Sequence, residues 1–170
     1  MPIVIRNNTS ASLAHVDITA STADPTGKIV ASGESQGTDP SVVQPHQWAL
    51  AYIFYSPGTN LSADDRLTFG FQTSPADTSF YNTAAIQVTQ ANVSGTSITG
   101  AVQSTTGHDV AGPISVNVYC FDQSNNPTYE QGSFTAGSGD LAAGAMDSFE
   151  IDLSQQVCPS YLVGASGYYK

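Results

Sequence analysis

A period of two in the residues of 113–122 constrains the fold of this chain more than any other feature. The apolar positions are Ile114, Val116, Val118 and Cys120. A period of two that follows Pro113 and ends at the turn former Asp122 is typical of a half-buried β-strand. A second stretch, 16–23, shows the same alternation and also ends at an aspartate, Asp24. The pattern therefore predicts two similar core strands and indicates an internal repeat.

The two parts of the chain agree in order and spacing beyond these strands. The turn Asp24–Gly27 corresponds to the turn Asp122–Asn125. A face of a later predicted strand also corresponds. Leu50, Tyr52 and Phe54 form it in the first half, and Phe149, Ile151 and Leu153 form it in the second. Helical periodicity is absent at useful length, and turn residues recur at the spacing of short antiparallel strands. We therefore predict an all-β fold of two tandem immunoglobulin-like antiparallel β-sandwich domains that arise from an internal repeat.

The predicted domains are a first half, residues 1–74, and a second half, residues 84–170, joined by a linker at 75–83. The predicted strands are 2–8, 14–23, 28–36, 46–55, 67–73, 84–93, 97–104, 113–121, 128–135, 145–153 and 161–169. Strand 84–93 has no counterpart in the first half. Either upstream residues that supply this strand were removed, or the first half has an edge that another strand can fill.

Composition excludes several classes of partner. The net charge is −10, and only four residues are Lys or Arg. Such a chain cannot neutralise a row of phosphates, so nucleic acid and anionic membranes are poor partners. No apolar run is long enough for a membrane helix, and no signal peptide or anchor is visible. The opening Met1-Pro2 suggests that upstream sequence was cut away, and a cytosolic protein that starts this way is the alternative.

The chain contains two cysteines, Cys120 and Cys158. They are too few and too far apart for a zinc site of familiar spacing. We therefore predict that the two cysteines form one disulfide, and two unpaired thiols are the alternative. A disulfide places the protein outside a reducing cytoplasm, either extracellular or on a cell surface.

The second half contains the stretch Gly112–Asp122, then Ile151-Asp152-Leu153 and Val157-Cys158-Pro159. With these residues it resembles the bacterial FxLYD-type domains. The resemblance covers roughly 84–168 and, through the repeat, weakly 2–73. Ile151 stands where the family has Phe, and Ser154-Gln155 stand where it has Tyr and Asp. The resemblance implies small extracellular β-sandwiches, often in tandem, and it brings no catalytic residues.

Candidates for catalysis are few. His15, His46 and His108 lie at predicted strand starts or turns, outside any catalytic triad or metal-ligand spacing. Asp24, Asp122 and the pair Asp64-Asp65 could offer oxygen ligands to calcium, but an aspartate that begins a turn is explained by local hydrogen bonding. We therefore predict that the protein is not an enzyme and has no cofactor and no metal site.

Aromatic residues are the candidate partner contacts. Trp48, Tyr52 and Tyr55 could stack on sugars or anchor a protein partner. Because Trp48, Tyr52 and Phe54 share one strand face, we expect that face to pack in a core. The better contact candidates are then Tyr55, Tyr119 and Phe121.

Two functions follow from these observations. The first is a non-enzymatic extracellular or cell-surface structural or adhesion module that self-associates through strand edges into an oligomer or filament. The apolar strand 46–55 would contribute to that association. The alternative is an accessory domain that binds carbohydrate or protein through exposed aromatic side chains.

Overall fold

The computed structural model describes all residues, from Met1 to Lys170, and confirms the all-β class. The strands are β1 (Pro2–Arg6), β2 (Leu13–Ala23), β3 (Ile29–Glu34), β4 (Trp48–Tyr52), β5 (Phe54–Tyr55), β6 (Arg66–Pro75), β7 (Thr83–Ser94), β8 (Ser97–Ser104), β9 (Val110–Phe121), β10 (Pro127–Phe134), β11 (Met146–Asp152) and β12 (Ser160–Tyr169). Their ladders are antiparallel. No helix long and apolar enough to span a membrane is present.

The strands of the second half form one six-stranded sheet in the order β10-β9-β12-β7-β8-β11. The long strand β7 pairs with β12 at its start and with β8 over most of its remaining length, and a bulge lies between Val88 and Gln90. The sheet curls until its outer strands approach, and the Ala136 N–H donates to the Ser148 carbonyl at 2.8 Å. This half-barrel differs from the two separate facing sheets of a sandwich, because β7 joins what would otherwise be two sheets.

The strands of the first half form two sheets, β5-β3-β2-β6 and β1-β4. The predicted hairpin between β2 and β3 is present. The carboxylate of Asp24 accepts the backbone N–H groups of Thr26 and Lys28 at 2.9 and 3.0 Å. Gly27 has φ +89°, a left-handed conformation that costs glycine little. Local turn chemistry therefore positions this hairpin, as the sequence predicts.

The predicted strand 46–55 is divided between the two sheets. β4 pairs with β1, whereas β5 pairs with β3, and Ile53 lies between them. The expected core face is also wrong. Trp48 is 61% exposed, and the buried face is that of Ala49 and Ala51. These small residues lie opposite Ile5 and Ile3 of β1, whose larger side chains fill the space between the sheets.

The two halves have cores of unequal size. Fourteen buried residues form the core of the second half. Seven form the core of the first half, namely Val16, Ile18, Ala20, Val43, Ala49, Ala51 and Ile53. The Cys120–Cys158 disulfide, with Cα atoms 5.0 Å apart, connects β9 to the segment before β12. Cys120 itself lies within the larger core.

Candidate functional site

The strand β6 has a hydrogen-bonded neighbour on one side only. It pairs with β2, and no strand lies along its other edge. In the second half, β12 occupies the comparable place beside β9, and there β7 pairs with its other edge. The strand for which the sequence predicts no counterpart in the first half is thus β7, and no strand takes the equivalent place beside β6.

The open edge exposes side chains that point into the core. Leu67, Phe69 and Phe71 lie opposite the buried residues Thr22, Ala20 and Ile18 of β2. Directly opposite residues of an antiparallel pair point to the same face of a sheet, so these three side chains are directed inward. They nevertheless remain 40%, 39% and 57% exposed. The surface formed by Leu67, Phe69 and Phe71 is called the β6 apolar row below.

Few of the usual devices that protect an edge strand are present in β6. Natural edge strands are commonly protected by charged residues, prolines, bulges or shortness. Between Arg66 and the terminal Pro75, β6 carries no charged residue and no proline. A ten-residue strand with this composition offers unpaired N–H and C=O groups over most of its length. It is therefore a ready template for another strand.

The strand β1 also pairs with a single neighbour, β4. Its surroundings differ, because β1 lies beside β10 of the second half. The amino group of Met1 donates to the carbonyl of Ile53 at 2.7 Å, which anchors the start of the strand. The second half therefore flanks β1, and β6 remains the more accessible edge.

A buried aspartate lies where the halves meet. The Asp39 Oδ2 atom accepts a hydrogen bond from Asn117 Nδ2 at 3.1 Å, and the Tyr119 hydroxyl donates to the same carboxylate. The Oδ1 atom is buried without a partner. A Cβ on Gly164 would lie 2.0 Å from Oδ1, so only glycine allows this close approach.

The environment of Asp39 changes the pKa of its carboxyl group. Burial raises the pKa of Asp39 to about 6, and the hydrogen bonds from Asn117 and Tyr119 oppose that rise. Burial, together with the nearby Asp39 charge, raises the pKa of Glu130 to about 7. Burial lowers the pKa of the Met1 amino group. The junction thus holds acidic groups that titrate near neutral pH.

The predicted aromatic contacts are dispersed. Trp48 is exposed, and the Arg6 guanidinium carbon lies over its ring, 5.5 Å from the ring centroid. Tyr52 is half-buried. Tyr55 packs against the smaller core, and Phe121 is half-buried. Tyr119 is only 4% exposed, so the expectation that it is free to contact a partner is wrong. Its outward face is covered because the first half places Asp39 against it.

An aromatic cluster lies at the junction of the halves. Phe80 and Tyr81 are 70% and 64% exposed, and their ring centroids are 4.6 Å apart. The ring centroids of Tyr81 and Tyr168 are 6.1 Å apart. His15 Nε2 lies 2.7 Å from the Tyr81 carbonyl oxygen. Tyr81 has φ +67°, which is uncommon for a bulky residue. Phe80 and Tyr81 fall in the predicted linker, where the only signal was their aromatic character.

The residues considered for catalysis and calcium lie apart from one another. No group of three or more His, Cys, Asp or Glu side chains is arranged to hold a metal ion. The carboxylates of Asp24 and Asp122 accept hydrogen bonds from their own turns, which lowers the pKa of both groups. This arrangement agrees with the local hydrogen bonding expected of an aspartate that begins a turn.

No protein-family model, curated protein or solved structure matches this chain. The resemblance to FxLYD-type domains therefore stays a prediction from the residues.

Proposed function

We propose that the chain is a non-enzymatic extracellular or cell-surface structural or adhesion module that self-associates through strand edges. The observation that carries the proposal is the β6 apolar row, whose core-facing side chains are exposed beside an unpaired strand edge. Covering apolar surface stabilises an assembly by about 25 cal/mol per Å². Pairing the free backbone groups at the same time gives the contact a defined direction.

We further propose that the halves are duplicated immunoglobulin-like units with the bounds 1–74 and 84–170. β2 pairs with β3 and β6, as β9 pairs with β10 and β12. The Asn7 carbonyl accepts from His46 N–H at 2.8 Å, and the Ser104 carbonyl accepts from Gly144 N–H at 2.9 Å. His46 and Gly144 share a positive φ, +64° and +77°. These details favour copies of one ancestral unit, of which the first lacks a strand.

The disulfide supports an extracellular or cell-surface location. Disulfides persist in oxidising compartments and are rare in a reducing cytoplasm. Cys120 and Cys158 are joined, and no free cysteine remains. The second half is therefore built for an environment that maintains this bond.

Self-association is expected to appear as a concentration-dependent increase in molar mass. The measurement is size-exclusion chromatography with light scattering, over a dilution series at physiological salt. The expected result is a mass that rises from the 17.7 kDa of one chain toward a multiple of it. A single-chain mass at every concentration would contradict the proposed assembly.

The aromatic cluster favours one alternative, an accessory domain that binds carbohydrate or protein. Phe80, Tyr81 and Tyr168 present adjacent exposed rings, and such rings are common in contact hot spots. A pull-down on insoluble polysaccharide distinguishes this function. It requires retention of the protein on the polysaccharide and loss of that retention in Tyr81→Ala.

A further inference from the structure

We infer that the occupant of the open edge is β6 of a second copy of this chain. The two strands pair antiparallel about a two-fold axis at Phe69. This inference rests on the proposed self-association and specifies its partner and register. The result is a continuous sheet in which β6 of one copy lies between its own β2 and β6 of the partner.

The arrangement of apolar residues in β6 is symmetric about Phe69. With Phe69 opposite Phe69 of the second copy, Leu67 lies opposite Phe71 of that copy, and Phe71 lies opposite its Leu67. All of these side chains point to the core side of the joined sheet, where they cover one another. A shift of one residue would place the apolar row opposite Thr68 and Gly70 on the polar face. The apolar pattern therefore selects this register.

The charges on the outer face are complementary in the same register. Arg66 lies opposite Gln72 of the second copy, and within each copy Gln72 lies opposite Asp17 of β2. Neighbouring strands are about 4.8 Å apart, so the long Arg66 side chain can reach across Gln72 to Asp17 of the second copy. Both residues are exposed, and symmetry produces the pair twice. Attraction at these two points opposes the repulsion between chains of net charge −10.

The rest of the paired segment is free of obstacles to strand pairing. It extends from Arg66 to Gln72 and ends before Pro75, which lacks the N–H group that a ladder requires. Thr68 lies opposite Gly70 of the second copy, so the outer face carries small side chains near the axis. The segment contains no acidic residue that would face its own copy.

Cysteine cross-linking tests the register directly. Only residue 69 faces itself across the axis, so Phe69→Cys is expected to form a disulfide-linked dimer under mild oxidation. Leu67→Cys and Phe71→Cys should each show no covalent cross-link alone and should form a disulfide-linked dimer when mixed. Thr68→Cys is the matched control on the outer face, and it should not cross-link to itself. The readout is intact mass without reductant, after circular dichroism has shown that each variant retains its strands.

Charge reversal gives a second readout that needs no cysteine. Arg66→Glu and Asp17→Arg are each expected to weaken the dimer about tenfold, because each reverses one partner in two symmetric pairs. Combining the two substitutions should restore the wild-type dissociation constant. Additive weakening in the double variant would contradict the register.

The outcomes separate the two proposals. A wild-type oligomer without the Phe69 cross-link overturns the β6 pairing but leaves self-association through another edge. Leu67→Cys that cross-links to itself overturns the register about Phe69. A wild-type protein that stays monomeric at all concentrations overturns both. Binding of a strand from a different protein, with no self-pairing, would also overturn the β6 dimer.

Discussion

Replacing both members of the disulfide, Cys120→Ala with Cys158→Ala, is expected to lower the free energy of unfolding by about 4 kcal/mol. The bond closes a loop with a sequence separation of 38, which contains β10 and β11. Without the bond, the unfolded chain gains the entropy of that loop. Cys120 also lies in the larger core, so its truncation removes packing as well.

The measurement is urea unfolding followed by far-ultraviolet circular dichroism. Reduction of the wild-type protein is the control, because it should produce a similar loss and should leave the double variant unchanged. Trp48 fluorescence reports on the first half and should respond less to the loss of the bond. Equal unfolding midpoints for wild type and variant would show that the disulfide contributes little stability.

Raising the pH from 5 to 8 is expected to reduce the free energy of unfolding by about 1 kcal/mol through Asp39 alone. The pKa of Asp39 in the folded protein, about 6, lies above its ordinary value of 3.8. The folded protein therefore binds a proton that the unfolded chain releases. This stabilisation is fully present below about pH 3.8 and is lost as the pH rises through about 6.

Two other groups at the junction titrate in or near this range. Glu130, with its pKa raised to about 7, acts in the same direction, but partial exposure to solvent reduces its contribution. The lowered pKa of the Met1 amino group acts in the opposite direction toward pH 8. Comparison of variants isolates Asp39 from both groups.

Asp39→Asn is expected to flatten the dependence of unfolding free energy on pH between 5 and 8. The amide stays neutral, and its oxygen can still accept from Asn117 or Tyr119. Asp77→Asn is the matched control: the pKa of Asp77 is lowered to about 2 by hydrogen bonds from Ser79 and Asn82, so Asp77 stays charged across this range. Chemical unfolding at several pH values checks both variants. If the free energy of unfolding of Asp39→Asn depended on pH as strongly as that of the wild type, Asp39 would not be the cause of the dependence.

Much of the strand order could be predicted because each strand leaves a local pattern. The core segments of β2 and β9 have a period of two, and Asp24 and Asp122 begin turns whose hydrogen bonds are made within a few residues. The lack of a β7 counterpart was also readable from the order of strands. Local sequence patterns therefore indicate the open edge without knowledge of long-range contacts.

The faces of β4 could not be predicted, since both faces are apolar. The small residues Ala49 and Ala51 are buried because β1 supplies the larger side chains opposite them, and this pairing is distant in sequence. The burial of Tyr119 depends on Asp39 of the other half. A period-two pattern identifies the two faces of a strand, but only long-range packing determines which face is covered.

Hydrogen–deuterium exchange along β6, measured over a range of protein concentrations, shows whether β6 is an unpaired strand edge that a second copy completes. We expect the β6 N–H groups that point away from β2 to exchange rapidly in dilute solution and to become protected as the concentration rises, while β9 stays protected throughout. Exchange along β6 that is equally slow, or equally fast, at every concentration would contradict this expectation.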